Sequence, residues 1–106
     1  MVKLQLLVLA AVASVISAVD IYEHDWYGGH HCQVNGVYDQ GGLCYALPAS
    51  CGGIVSSVKV RKYWTCKLFE GGGCNGSSVD VYGEVPSLSE RGFNDRAYGI
   101  KCWSYA

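Results

Sequence analysis

The chain has 106 residues, including six cysteines and fourteen glycines, and a formal net charge of −1. A chain of this length is typical of one domain, and its near-neutral charge without a basic run argues against binding to nucleic acid or anionic membranes. No Cys-x-x-Cys pair occurs, and the histidines do not interleave with the cysteines at zinc-ligand spacing, which disfavours structural zinc.

The first eighteen residues are typical of a signal peptide. Lys3 supplies a positive charge, and residues 4–18 are almost wholly apolar but shorter than the roughly 20 residues that a membrane-spanning helix needs. We predict a signal peptide over residues 1–18 with cleavage after Ala18, or alternatively after Ser17; a buried N-terminal helix is the other interpretation. The mature chain, residues 19–106, then has seven basic and nine acidic residues, a net charge of −2, and we expect it to be secreted and extracellular.

All six cysteines fall in the mature chain. An even number in a short exported chain indicates a disulfide framework, and each bridge typically stabilises such a domain by ~2–4 kcal/mol. We therefore predict three disulfides, although the sequence does not choose among the about 15 pairings. The half-cystines are Cys32, Cys44, Cys51, Cys66, Cys74 and Cys102.

Short segments of alternating polarity predict strands, and no helical period persists between the glycines. Residues 20–23, 58–61 and 79–82 show the alternation of a half-buried strand. Many short strands separated by glycine turns favour an all-β antiparallel sandwich or barrel. The glycine turns are predicted at 28–29, 41–42, 52–53 and 71–73.

One motif occurs twice, 47 residues apart, and each copy leads to a closing strand, at 56–60 and 98–102. The spacing indicates a folded hairpin in which two rings stack across the turn and the glycine adopts a positive φ. The two copies are Tyr22-x4-Tyr27-x-Gly29 and Phe69-x4-Cys74-x-Gly76.

This repeat resembles the βγ-crystallin domain, whose unit is a four-stranded Greek key opened by aromatic-x4-aromatic-x-Gly. Residues 92–101 are the closest match, because they resemble the family's Phe-Asn-Asp-x-x-Ser-Ser stretch before the closing strand. The resemblance implies an all-β, disulfide-stapled sandwich of two Greek-key motifs as a single domain over 19–106. Greek key one spans about 19–62 and Greek key two about 66–104.

Cys74 departs from the family pattern, because it stands where the second aromatic of the repeat belongs. The departure suggests that a disulfide anchors the second hairpin in place of ring stacking. This arrangement is similar to secreted, cysteine-rich fungal members of the family, a branch that resembles killer toxins.

The same resemblance implies a weak calcium site. Many family members bind calcium through two Asn or Asp residues, two variable residues, then Ser/Thr and Ser, with loops from both units contributing to each ion. Residues 52–57 keep the hydroxyls and lose the acids, whereas residues 94–99 keep the acids and lose the hydroxyls. The prediction is one composite calcium site from Ser56, Asn94 and Asp95 and no required cofactor. The alternative is that Asn94 and Asp95 only fix a turn.

The sequence does not predict an enzyme. His24, His30 and His31 are the candidate bases, and Glu23 and Asp25 neighbour the first of them. Adjacent residues of a strand point to opposite faces, which separates such acid–base pairs. The cysteines are expected to be consumed in disulfides, leaving no thiolate nucleophile.

The chain has eight aromatic residues that are candidates for the surface, more than one small core is expected to bury. Aromatic rings left at the surface can stack on sugars or anchor a protein. The alternative is that most are core residues. Trp26, near a tight turn, and its neighbour Tyr27 are the predicted binding residues. The eight are Trp26, Tyr27, Tyr38, Tyr45, Tyr63, Trp64, Trp103 and Tyr105.

Three functions follow from these observations. The favoured one is a secreted, monomeric, non-enzymatic effector or antimicrobial, toxin-like protein that binds an extracellular protein or a cell-wall polysaccharide of another organism. The second is an extracellular structural or stress protein with weak calcium binding. The third is a protease inhibitor with a reactive loop at residues 38–43.

Overall fold

The computed structural model describes residues 18–105, which form eight strands and two short 3-10 turns. The predicted signal peptide lies outside the described residues except for Ala18, which pairs with Asn35. The strands are β1 (Ala18–His24), β2 (Gly28–Asn35), β3 (Cys44–Ala46), β4 (Ser57–Lys59), β5 (Trp64–Phe69), β6 (Ser78–Tyr82), β7 (Glu84–Val85) and β8 (Gly99–Ser104), with the 3-10 turns at Asp25–Tyr27 and Leu88–Arg91.

The strands form two four-stranded antiparallel sheets, ordered β2-β1-β4-β7 and β3-β8-β5-β6. Each half of the chain contributes three strands to one sheet and one strand to the other, since β3 joins the second sheet and β7 joins the first. This arrangement confirms the predicted all-β sandwich of two Greek keys. The predicted strand at 58–61 is shorter than expected and ends at Lys59.

Period-two alternation places the core between the sheets. Val19 and Ile21 of β1 are fully buried. They belong to the same core cluster as Leu68 of β5 and Ile100 of β8, which come from the second sheet. Because successive residues of a strand point to opposite faces, the intervening polar residues lie on the outside. Phe93 and Leu88 cover one end of this core and are also buried.

Three disulfides cross-link the domain, as predicted, and no described cysteine is free. Cys66 and Cys102 are directly opposite in β5 and β8 and bridge inside the core. Cys44 bonds Cys74, which confirms that a disulfide anchors the second hairpin. The third bridge joins Cys32 to Cys51.

One histidine lies beside a disulfide. The side-chain donor atoms of His30, Cys32 and Cys51 lie within 4.8 Å of one another. Because both sulfurs are bonded to each other, this cluster offers no thiolate to a metal.

Within residues 18–105, no helix has the length and apolar character needed to cross a membrane.

A candidate metal centre between the two halves

The first hairpin folds back over the sandwich as its motif predicts. The rings of Tyr22 and Tyr27 meet edge to face with centroids 5.6 Å apart, and Gly29 has a φ of +74°. Ser57 fixes the turn from below, because its hydroxyl donates to the carbonyl of His24 (2.6 Å) and accepts from the amide of Tyr27 (3.0 Å). The turn residues are thereby held against the beginning of β4.

This hairpin forms one wall of a cleft of about 390 Å³. The loop before β4, the second 3-10 turn and the loop before β8 form the other walls. Both halves of the chain therefore contribute to the cleft, as the composite site requires. The lining residues are Glu23, His24, Asp25, Ile54, Ser56, Ser89, Asn94 and Asp95.

The three residues that the sequence predicted for calcium meet in this cleft. The Ser56 hydroxyl donates to Oδ1 of Asp95 at 3.4 Å. The side-chain oxygen of Asn94 is buried and has no hydrogen-bond partner within the described chain. An unsatisfied buried acceptor costs roughly 1–3 kcal/mol, and a cation ligated by that oxygen removes this cost.

The charge of the cleft favours a cation. Its lining has three carboxylates, from Glu23, Asp25 and Asp95, and no lysine or arginine. The Asp25 carboxylate accepts a hydrogen bond from Ser87 at 3.1 Å, and Glu23 accepts one from the amide of His30 at 3.0 Å. Both acids are therefore positioned, although neither is neutralised by a permanent positive charge.

A comparison of the two loops shows that Asp95 occupies a conformationally costly position. The amide of Asp95 donates to the carbonyl of Val55, and in the other half the amide of Gly53 donates to the carbonyl of Ala97, so the two positions are equivalent. Both have positive φ, +58° for Asp95 and +79° for Gly53. The turn imposes this backbone conformation in both halves, and Asp adopts it more readily than most residues that carry a side chain, so only the loop before β8 can place a carboxylate there.

The equivalent cleft of the second half is closed. Tyr98, which corresponds to Ser56, lies over Gly52 and Gly53 so closely that a side chain on Gly53 would overlap its hydroxyl. The acid of that half, Glu70, accepts two hydrogen bonds from Arg96, at 2.9 and 2.7 Å. These hydrogen bonds hold the pKa of Glu70 below its usual range. The described chain thus has one open acidic cleft where its pseudo-symmetry would allow two.

Sequence reasoning missed Glu23, Asp25 and Ser89 as members of this cleft. The sequence indicates the first two only as neighbours of the candidate base His24. Their position inside the hairpin motif was the available signal, because the family pattern brings each hairpin close to the loop before a closing strand. Nothing in the local sequence around Ser89 indicated its position.

The predicted binding residues Trp26 and Tyr27 have different environments. Trp26 is 75% exposed, whereas Tyr27 packs on Tyr22 and lies under the Lys59 ammonium, 4.5 Å from the ring centroid. Of the other predicted rings, Tyr38 is buried and Tyr45 and Trp64 pack against the core. Tyr63, Trp103 and Tyr105 are exposed, as are Tyr82 and Tyr98, which the prediction omitted.

The histidines form no catalytic constellation with the described side chains. His31 is paired with Asp20 at 2.8 Å on the outer face of the first sheet, and its ring stacks on Tyr22. The His24 ring is 3.8 Å from the Glu23 carboxylate. All six cysteines are in disulfides and provide no nucleophile.

Two Greek keys, each opened by a folded hairpin that faces the loop of the other half, define the βγ-crystallin fold, and known structures agree. The chain is similar to a domain from work on the evolution of the eye-lens βγ-crystallin fold (22% identity, TM-score 0.70, 85% of this chain and 88% of that chain). It is also similar to a βγ-crystallin domain from Clostridium beijerinckii (21%, 0.64, 81% and 97%). A third similar structure is a clostrillin double mutant in complex with nickel (23%, 0.64, 82% and 98%).

Identities below 25% establish the fold alone. No protein-family model and no curated protein matches the sequence. The predicted fold and the predicted likeness to βγ-crystallin domains are therefore confirmed, and the function must be argued from the chain's own residues.

Proposed function

We propose that this protein is a secreted, non-enzymatic domain that binds one calcium ion and acts as a structural or stress protein outside the cell. The observation that carries this proposal is the buried, unpartnered side-chain oxygen of Asn94. It lies in a cleft with three carboxylates and no permanent positive charge. Three disulfides are typical of small domains that fold in an oxidising compartment, which supports secretion.

The donor set is better suited to calcium than to other ions. The lining provides carboxylate, amide and hydroxyl oxygens, and calcium takes 6–8 such ligands in flexible geometry. The two serine hydroxyls, from Ser56 and Ser89, are weak neutral ligands. We expect a dissociation constant on the order of 10⁻⁴–10⁻³ M, the range of extracellular calcium modules.

Calcium at this cleft would link the two halves of the sandwich. Asp25 belongs to the first hairpin, Ser56 to the loop before β4, and Asn94 and Asp95 to the loop before β8. An ion held by all of them binds only the folded chain, because unfolding separates these residues. Binding therefore stabilises the native state by mass action.

We expect calcium to raise the melting temperature of the intact protein and Asp95→Asn to abolish the rise. At free calcium ten times the dissociation constant the gain is about 1.4 kcal/mol, or roughly 6–11 °C for a domain of this size. The measurement is calorimetric melting in calcium and in magnesium of equal ionic strength. Asp80→Asn is the matched control, because this carboxylate lies on the outside of the second sheet beside Lys67.

Titration calorimetry of the calcium-stripped protein tests the same proposal directly. One ion per chain is the expected stoichiometry, since in the second half Tyr98 replaces Ser56 and lies over Gly52 and Gly53, and the acid Glu70 is bonded to Arg96. Absence of heat at millimolar calcium, together with an unchanged melting temperature, would contradict the site.

A second candidate function, the secreted effector or toxin-like protein favoured by the sequence, is supported by the exposed aromatic rings. Six of the seven large hydrophobic side chains exposed in residues 18–105 are aromatic, and such rings are suited to contact with a sugar or a protein. The Cys44–Cys74 anchor supports the killer-toxin-like branch. Growth-inhibition and host-response assays with the purified monomer test this function, and inactivity in both would contradict it.

The protease-inhibitor alternative receives no comparable support. Residues 38–43 form a series of turns, and the amide of Gly42 is bonded to the carbonyl of Cys102 in β8. An inhibitory loop of this kind should be extended, whereas residues 39–41 are exposed but folded into turns. Inhibition of a metalloprotease panel remains its test.

A further inference from the structure

Four exposed aromatic rings lie on the outer side of the second sheet. Tyr82 is 65% exposed, Tyr105 62%, Tyr63 51% and Trp103 38%. We call these four residues the aromatic face. None of them belongs to the cleft described above or to the first hairpin.

The register of the strands shows how the face is built. Thr65 of β5 is paired with Tyr82 of β6 on one side and with Trp103 of β8 on the other. The next residues along these strands, Cys66, Val81 and Cys102, are buried, so the first three point outward. Tyr82 and Trp103 are therefore separated by two strand spacings, about 9–10 Å between backbones.

The face continues toward the end of β8. The amide of Tyr105 donates to the carbonyl of Tyr63 at 2.9 Å, and the centroids of their rings are 6.4 Å apart, edge to face. Tyr105 is two residues beyond Trp103 and so follows the same outward alternation. The two rings therefore lie next to the end of β5 and β8 that carries Thr65 and Trp103.

The surroundings of the rings are polar. Thr65 lies between Tyr82 and Trp103. Two residues further along β5, Lys67 is paired with Asp80 of β6 on one side and with Lys101 of β8 on the other. Lys67 is 3.7 Å from Asp80. A second copy of the chain or a protein with an apolar patch would have to desolvate these charges, whereas a sugar chain can use them as hydrogen-bond partners for its hydroxyl groups.

Rings separated by hydroxyl and charged groups on the outer side of a sheet match the chemistry of a sugar chain. The apolar C–H face of a pyranose packs on an aromatic ring, and its equatorial hydroxyls reach polar groups at the rim. A β-1,4-linked chain is an extended ribbon whose disaccharide repeat is close to two strand spacings. Such a ribbon can therefore contact Tyr82 and Trp103 with alternate sugar units.

We propose that the aromatic face binds an extended, uncharged β-1,4-linked polysaccharide. The proposal deepens the second candidate function by naming its partner and the surface that contacts it. It does not depend on the calcium cleft, so binding is expected to persist in a chelator.

The test is depletion of the full mature protein, with its disulfides intact, from solution by insoluble chitin and by cellulose, with β-1,3-glucan as the contrasting probe. Retention by chitin or cellulose, in chelator as well as in calcium, is the expected result. Trp103→Ala and Tyr82→Ala should each weaken binding about tenfold. Trp26→Ala distinguishes the two surfaces: Trp26 is the binding residue that the sequence predicts on the first hairpin, and if the aromatic face is the site its loss should leave binding unchanged.

Melting of each variant confirms that it is folded, and Tyr82→Phe should retain binding because it keeps the ring. In a Trp26→Phe background, where Trp64 and Trp103 remain, a soluble β-1,4 hexasaccharide should change the tryptophan fluorescence, and adding Trp103→Ala should abolish that change. Failure of both β-1,4 polymers to retain the protein, or retention by the β-1,3-glucan alone, would overturn the proposal. An equal loss in Trp26→Ala and Trp103→Ala would do the same. A failed calcium titration with intact polysaccharide binding would refute only the calcium proposal.

Discussion

Replacing Cys66 and Cys102 together by alanine lowers the free energy of unfolding by about 4 kcal/mol or more. The bridge closes a separation of 36 residues, for which the loss of unfolded-state entropy alone corresponds to about 4 kcal/mol. Both sulfurs lie in the core between β5 and β8, so their removal also leaves a cavity. Urea unfolding followed by tryptophan fluorescence measures the change.

The double variant Cys44→Ala/Cys74→Ala is the control for the part of this loss that comes from the entropy of the unfolded chain. It opens a separation of 30 residues, which is nearly as long, but Cys44 is exposed and leaves no cavity. We expect the core variant to be less stable than this control by about 1 kcal/mol. Equal stability of the two variants would show that packing around the buried sulfurs contributes nothing.

The second large effect is expected at Gly99, which opens β8. A Cβ at this position would lie 2.5 Å from the carbonyl oxygen of Gly71 and 3.4 Å from the amide of Cys74. Backbone atoms cannot move aside as a flexible side chain can, and the disulfide of Cys74 restrains this hairpin. Gly99→Ala should therefore destabilise the domain by about 3 kcal/mol.

Gly73→Ala is the control within the same hairpin. A Cβ on Gly73 has nothing within 4 Å, so the change should be within about 0.5 kcal/mol. Thermal and urea unfolding of both variants provide the comparison. Similar stabilities would contradict the steric role of Gly99, whose counterpart in the first half is Ser57.

The comparison of Ser57 with Gly99 also explains how two related halves acquired different sites. In the first half a hydroxyl under the hairpin holds the turn through two hydrogen bonds. In the second half the hairpin approaches the strand directly, and Cys74 holds it through a disulfide. The same divergence leaves Ser56 beside an acidic loop and places Tyr98 over two glycines.

Several features were predictable because they depend on short-range pattern. Alternation in residues 20–23 and 79–82 predicted β1 and β6, and the repeated hairpin motif predicted the positive φ of Gly29 and Gly76. The even number of cysteines predicted three bridges. The grouping of Ser56 with Asn94 and Asp95, which the structure brings into one cleft, followed from the resemblance to βγ-crystallin domains and not from local pattern.

Other features depend on contacts between distant segments and could not be read locally. The exchange of β3 and β7 between sheets decides which cysteines meet, since Cys44 reaches Cys74 only after β3 pairs with β8. The acids of the first hairpin enter the cleft because the hairpin folds over the sandwich. Alternation in β6 indicates that Tyr82 faces outward, but its place beside Trp103 follows only from the pairing of β5 with both β6 and β8.

The sequence by itself determined the strand-rich composition, the duplicated hairpin and the presence of a disulfide framework, because each is set by residue type and spacing over a few positions. Tertiary structure alone decided the disulfide pairing, the single open cleft and the aromatic face. Each of these requires side chains from well-separated segments to meet, 19, 30 and 36 residues apart in the three disulfides and 39 for Ser56 and Asp95, and only the pairing of the strands in the folded sandwich brings them together.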